Sequence, residues 1–214
     1  MERHPLIEKF CSTFKKKYLE RYGREQEFIV DSSNEYYLLL MLNYSFNKPE
    51  FETMHPREGL RYDLDKGIAF IGDVGVGKTF LMEAISLVFG GMKCTEARWL
   101  VRELQQEGIN VVDRYGRYSF QSKGQGYDYS QPISLFIDDL GLEDKEVKIY
   151  GNQVRTVTDI LLDRYKWSVN YKMKTHIASN LDVDTLGEVY GYRLKDRFKE
   201  MFNVVPWTGK SRRK

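Results

Sequence analysis

Gly67-Ile-Ala-Phe-Ile-Gly72-Asp73-Val74-Gly75-Val76-Gly77-Lys78-Thr79-Phe80 is the stretch on which the reading of the whole chain turns. A short continuous apolar run with turn residues behind it predicts a buried parallel strand. Gly72 to Thr79 then satisfies G-x-x-x-x-G-K-[ST], and the residues from Lys78 to Phe89 read as a helix that Gly90-Gly91 ends. At ordinary residue abundances the bare pattern arises by chance in on the order of one chain per hundred of this length. Its position between strand and helix makes it more specific. Glycines let the backbone curl until successive N–H groups point at phosphate oxygens, and the helix start adds partial positive charge. In such a loop Lys78 bridges the β- and γ-phosphates and the Thr79 hydroxyl ligates Mg²⁺. The bland alternative is a glycine-rich turn with no ligand.

Outward from this loop, a second buried run, Ile133-Ser-Leu-Phe-Ile, ends in Asp138-Asp139, and Asp138 lies 138 − 79 = 59 residues beyond Thr79. Ligands of parallel sheets bind at the carboxyl ends of the strands, so Asp138 is expected to face the Mg²⁺ and Asp139 to polarise the attacking water as general base. Alone, strand-ending acids often just cap the next turn. A third strand, Lys174 to Ser179, is followed by Asn180, an amide able to hydrogen-bond the γ-phosphate or the lytic water without adding charge. Otherwise Asn180 is a turn residue. Arg193 and Arg197 share one helix face while Leu194, Phe198 and Met201 form the packing face. Paired guanidiniums suit phosphate recognition; the plainer reading is charge solvated or paired with Asp196 or Glu200.

Helical spacing of Ile7, Phe10, Cys11, Phe14, Tyr18 and Tyr22 predicts an amphipathic helix from Pro5 to Tyr22, packed on the core or serving as a partner-binding arm. Capping residues at Asp31-Ser-Ser-Asn precede a largely buried helix from Glu35, and a Pro- and Gly-bearing loop follows from Asn47 to Gly59. The expected division is therefore an N-terminal helical section over 1–60 and a core over 61–214. Further helices are expected from Ala97 to Gly108, Asn152 to Trp167 and Asp184 to Phe202, with a loop or lid over 113–131. In that loop Arg114, Arg117 and Lys123 interleave with aromatics, which suits stacking of single-stranded DNA, against the alternative of an ordinary tyrosine-rich surface loop. Strands alternating with helices give an α/β fold with a parallel sheet.

The 214 residues carry a net charge of +2, with 42% hydrophobic and 30% charged side chains, which excludes both a disordered tail and a polycation that coats nucleic acid. Positive charge gathers late: residues 190–214 hold eight Lys or Arg against two acids, a local +6. Two cysteines, Cys11 and Cys94, exclude a disulfide framework, and with three scattered histidines no transition metal is expected. The longest apolar stretch, Tyr36 to Leu42, has seven residues against the ~20 of a membrane span. The start, Met1-Glu-Arg-His-Pro, is unlike a secretory signal, so a cytoplasmic protein without membrane attachment is the expectation.

Gly72–Thr79, Ile137-Asp-Asp-Leu-Gly141, Asp163-Arg-Tyr165, Thr175-His-Ile-Ala-Ser-Asn180 and Tyr192-Arg-Leu-Lys-Asp-Arg-Phe198 together resemble the DnaC/DnaI/IstB branch of AAA+ ATPases, over about residues 65 to 213. The resemblance implies a three-layer P-loop NTPase core with a short N-terminal helical section and no full C-terminal lid domain. It implies ATP and Mg²⁺ as cofactors, with Gly72 to Phe80 and Arg193 around the nucleotide. Asn180 becomes sensor 1, and Arg197 an arginine finger acting on a neighbouring subunit of an ATP-dependent homo-oligomer. The tail Gly209-Lys-Ser-Arg212-Arg213 is similar to a family stretch that gives Arg212 or Arg213 a sensor-2-like role. The implied partner is a replicative helicase, or a transposase for an IstB-like transposition helper. Asp139 stands where many AAA+ proteins carry Glu, which implies slow hydrolysis, and the first 60 residues do not resemble the zinc module of DnaI-like loaders. A P-loop small-molecule kinase and an ATP-controlled binding module are the other readings of the same loop.

Overall fold

The computed structural model describes residues 4–149 and 151–213, so the expectations for Met1 to Arg3 and for Lys214 lie outside the described residues. The chain divides into two compact units. One comprises residues 4–64, 75–91 and 209–213, the other 65–74 and 92–208. All described residues of the expected N-terminal section belong to the first unit, which also takes in the helix after the glycine loop and the tail.

The first unit begins with α1 (Pro5–Tyr22). Pro5 is preset for a first helical turn, the His4 side chain accepts the Leu6 N–H, and Gly23 closes the helix by donating its N–H to Leu19 O. Ile7, Phe10 and Phe14 are the buried stripe. The helix packs on α2 (Glu35–Ser45) and α4 (Lys78–Phe89), which is the core-packing reading of its amphipathicity. In α2, Leu38, Leu40, Met41 and Leu42 are all buried, as expected of a helix apolar on most sides. The stretch expected as a loop over 47–59 contains one short helix, α3 (Glu50–Thr53), held because Phe51 is buried against Tyr44 and Tyr62. The Lys17 ammonium donates to Val88 O in the last turn of α4, where a cation is favoured by the helix dipole.

The second unit is built on a five-stranded parallel sheet. Its strands are β1 (Gly67–Gly72), β2 (Met92–Glu96), β5 (Ser134–Asp138), β8 (Thr175–Ser179) and β9 (Phe202–Trp207), in the order β2-β5-β8-β1-β9. The three central strands are the three apolar runs read from the sequence, and Ala69, Ile137 and Ile177 lie side by side in the hydrophobic core. The two flanking strands escape a search for continuous apolar runs. Met92-Lys-Cys-Thr-Glu is mixed in polarity, and β9 contains Pro206, which an edge strand tolerates because it need not donate on its open side.

Three expectations are corrected. Residues 113–131 are not a loop or lid: α5 (Ala97–Glu107) is followed by α6 (Asn110–Tyr115) and then by an antiparallel hairpin of β3 (Phe120–Lys123) and β4 (Gly126–Pro132). Tyr129 packs with Phe120, Trp167 and Tyr171, so the aromatics expected on a loop anchor the hairpin. Asn152 does not open a helix. A second small hairpin, β6 (Val147–Ile149) with β7 (Asn152–Val154), precedes α7 (Thr156–Tyr171). The helix expected over 184–202 is broken into α8 (Val183–Tyr190) and α9 (Tyr192–Met201) by Gly191, whose φ of 90° lies outside the helical range.

Two buried polar side chains fasten the central strands. Arg164 on α7 is fully buried and donates to Thr175 Oγ1 at 2.7 Å and to the carbonyls of Tyr115, Ile133 and Lys174 at 2.9, 3.0 and 2.8 Å. His176 on β8 accepts the Ile68 N–H of β1 at 3.1 Å, and burial, reinforced by Lys174 and Arg164, holds its imidazole down at about 3. Replacing Arg164 with Met removes a charged donor from three carbonyls and from Thr175 Oγ1, and we expect a loss of roughly 3 kcal/mol in denaturant unfolding. His176 makes stability depend on pH in a defined direction. Its folded-state value lies below the unfolded value of 6.5, so its contribution is complete above pH 6.5 and is lost as pH falls toward 3. His176→Gln should flatten the stability profile in that window by one proton, about 1.4 kcal/mol per pH unit, while leaving the profile above pH 7 unchanged in slope.

Candidate nucleotide site

The glycine loop is drawn out of β1 by residues that have no alternative to glycine. Gly75 and Gly77 have φ of 81° and 112°, and Gly77 is the N-cap of α4. A side chain at Gly75 would also collide with Ser211 of the tail. Since the N-cap has no side chain, no side-chain cap occupies the start of α4, the arrangement an anion at a helix N-terminus requires. Val76 and Lys78 are buried, whereas Asp73, Val74 and Phe80 are exposed and Thr79 is intermediate. In the second unit, Asp73 N donates to Trp207 O, tying the residue after β1 to the end of β9.

Within the first unit the loop is gripped by the tail. Arg212 N donates to Gly75 O at 2.8 Å. Its guanidinium holds the segment between α1 and α2: Asp31 Oδ1 at 2.7 Å, Ile29 O at 3.3 Å and the Ser33 hydroxyl. The hydrogen bond from Arg212, with help from Ser33, pulls the Asp31 carboxyl down to about 2. The same segment carries Phe28, which stacks on Phe80 at 5.2 Å and meets Phe14 of α1 edge-on.

In the second unit, the carboxyl ends of the strands form one acidic edge. Asp138 is the buried last residue of β5 and lies level with Glu96, the last residue of β2. Asp139 turns sharply out of the strand with φ of 51°, a left-handed conformation uncommon for a residue with a side chain. On the neighbouring strand β8 ends at Ser179, which is followed by Asn180. Leu140 N donates to Ala178 O at 3.0 Å, Ser179 Oγ donates to Leu140 O at 2.7 Å, and Leu181 N donates to Ser179 Oγ at 3.0 Å. The backbones that carry Asp139 and Asn180 are thus braced together. Ser179 was legible only as part of the strand; the signal that finds it is a hydroxyl at a fully buried strand position, which must have local partners.

Arg193 and Arg197 both lie on α9. Arg197 donates to Arg193 O at 2.8 Å and sits over the Tyr165 ring at 5.2 Å, while Glu200 accepts from the Tyr165 hydroxyl. On α6 and the hairpin, Arg114 is bridged to Glu103 and Glu107, Arg117 to Asp113 and Lys123 to Asp128. Tyr118 and Tyr127 stack nearly parallel at 5.3 Å.

A parallel sheet with an acidic carboxyl edge and a glycine loop after one central strand defines an α/β P-loop fold of AAA+ type. Solved structures similar to it include that of DnaI, with a TM-score of 0.56 at 19% identity over 87% of each chain. A putative primosome component from Streptococcus pyogenes serotype M3 has a TM-score of 0.54 at 15% identity over 87% of this chain and 85% of that one. The DnaC helicase loader has a TM-score of 0.50 at 17% identity over 91% and 98%. The likeness is one of fold: the chain has the fold of the DnaC/DnaI type of AAA+ ATPase. No protein-family model and no curated protein matches the sequence.

The clasp generates a prediction with a sign. Because Asp31 titrates below its ordinary 3.8, its contact with Arg212 contributes stability above pH 3.8 that is lost as pH falls through about 2. In Arg212→Ala the Asp31 midpoint, followed by carboxyl carbon NMR, should rise toward 3.8, and amides of residues 24–34 should exchange faster.

Proposed function

We propose that the chain binds and hydrolyses ATP and uses the cycle to load or remodel a replicative helicase in DNA replication, as a DnaC-type loader. The observation that carries this reading is the acidic edge, with Asp138, Asp139 and Asn180 at the ends of two neighbouring strands of a fold shared with DnaI and the DnaC helicase loader. The DnaC helicase loader is matched over 98% of its length, and the helicase reading takes its support from that likeness.

On this reading the loop from Gly72 to Phe80 wraps the phosphates, with Lys78 neutralising charge between the β- and γ-phosphates. The positive φ angles at Gly75 and Gly77 and the hydroxyl and carboxylate donors suit a magnesium nucleotide: Thr79 and Asp138 would hold Mg²⁺, which when bound offsets the charge of the triphosphate. Asp139 takes the proton of the attacking water and Asn180 orients that water or the γ-phosphate. Arg197 acts on the nucleotide of a neighbouring subunit in an ATP-dependent oligomer, and Arg193 stands beside it on the same helix. Arg212 joins the nucleotide only when its clasp on Asp31 opens. Single-stranded DNA near the helicase would meet the hairpin at Tyr118 and Tyr127, with Arg114, Arg117 and Lys123 exchanging their carboxylate partners for phosphates. The setting for such work is the cytoplasm, and no helix among the described residues is long and apolar enough to cross a membrane.

Lys78→Ala is expected to abolish nucleotide binding in a fluorescent-nucleotide titration. Asp139→Asn is expected to bind ATP but hydrolyse it about a hundredfold more slowly. Capture on immobilised replicative helicase should depend on ATP and outcompete capture on a transposase. Wild-type turnover in both Lys78→Ala and Arg197→Ala would overturn the site, phosphoryl transfer to a nucleoside monophosphate would make the protein a kinase, and tight binding without phosphate release would make it a binding module.

A further inference from the structure

We infer that Glu143 and Tyr190 are positioning residues for Asp139, holding the bend that aims its carboxylate and tying that bend to the junction of α8 and α9; the inference rests on the proposed role of Asp139 in hydrolysis. Glu143 is a buried carboxylate four residues beyond Asp139. One oxygen accepts the hydroxyl of Tyr190, which is also buried, and the other accepts the Gly141 N–H at 2.9 Å. A carboxylate does not enter a protein interior without such donors, because it would lose its hydration unreplaced. Burial, with the adjacent Glu143 charge, raises the Tyr190 phenol well above its ordinary value, so the ring remains a donor.

What this clamp holds is strained. Asp139 keeps a left-handed backbone conformation that side chains disfavour, and such residues persist only where the surroundings over-determine them. Its successors are fixed in three ways. Leu140 N donates to Ala178 O, Leu140 O accepts from Ser179, and Gly141 N donates to Glu143. The first two contacts belong to the sheet. The third reaches a different element: Tyr190 is the last residue of α8, followed by Gly191 and then by the helix that carries Arg193 and Arg197. A rotation at Gly191 therefore changes the anchor of Glu143 and, through Gly141, the bend at Asp139.

The test uses the full chain. We expect Glu143→Ala to lower kcat for ATP about tenfold with KM and nucleotide affinity within about twofold of wild type, as a displaced rather than missing group does. Glu143→Gln, which keeps an oxygen for the Gly141 N–H, should recover most of the loss, to within about threefold. Tyr190→Phe, which removes one hydroxyl and keeps the ring, should lower kcat in the same direction and speed exchange of the Gly141 amide. In an Asp139→Ala background, Glu143→Ala should cost nothing further, whereas a general loss of folding would add to it. The inference fails alone if Asp139→Ala slows turnover about a hundredfold while Glu143→Ala and Tyr190→Phe leave kcat unchanged. It also fails if KM and affinity worsen in step with kcat, or if the Glu143 effect persists without Asp139. Asp139→Ala hydrolysing at the wild-type rate overturns the reading of the site itself, and the inference with it.

Discussion

The parallel pairing of β5, β8 and β1 fixes more of this protein than any other feature. Parallel strands all end on the same side, and their register places Asp138, Ser179 and Gly72 along one edge. Parallel sheets are buried on both faces, so their interior positions are mostly apolar and their polar residues gather at the ends, with His176 an exception that hydrogen-bonds β1. At the carboxyl edge those residues sit where the peptide groups lose their ladder partners and side chains must replace them. Ser179 does this for Leu140 and Leu181, and Glu143 does it for Gly141.

The opposite edge is fixed by a different chemistry. Arg164 donates to Ile133 O just before β5 and to Lys174 O just before β8, and its third carbonyl partner is at the end of α6. A guanidinium has five donors in a planar fork, enough to satisfy several carbonyls that converge where the sheet begins. The β5–β8 pair is therefore pinned at both ends, by a cation among carbonyls at one and by the Ser179 hydroxyl at the other. The spacing between the backbones of Asp139 and Asn180 follows from that frame. This is why residues remote from any ligand, such as Arg164, carry a share of the site's geometry.

The features legible in the sequence were those whose cause is local. Three apolar runs, a glycine pattern between one of them and a helix, and acids or an amide at the strand ends are read from a few consecutive residues. What was missed has causes distant in the chain. β2 and β9 are strands because the central sheet offers them open edges, not because Met92-Lys-Cys-Thr-Glu or a segment with Pro206 favours extension. Residues 120–132 form a hairpin because Tyr129 and Phe120 find Trp167 and Tyr171 on α7. Glu143 and Tyr190 are 47 positions apart, and nothing near either one signals that they meet. Arg212 was legible as a cation in a basic tail, but its carboxylate, Asp31, lies 181 positions earlier.

That last distance bears on how the two ends of the chain are used. The helix that follows the glycine loop packs in one unit with the N-terminal helices and the tail, and three contacts of different kind join them: the Lys17 ammonium on the last turn of α4, the Phe28 ring on Phe80 in its first turn, and Arg212 between Asp31 and Gly75. Two of the three lie within five residues of Lys78. A displacement of α1 or of the segment after it must either carry α4 along or break one of these contacts, and the exposed Arg212–Asp31 pair is the weakest because solvent competes for both charges. Phosphate is a stronger competitor for a guanidinium than a single exposed carboxylate, since it offers more charge and more acceptor oxygens. The clasp is thus the contact of the three that gives way first, and the sequence places its two halves 181 positions apart.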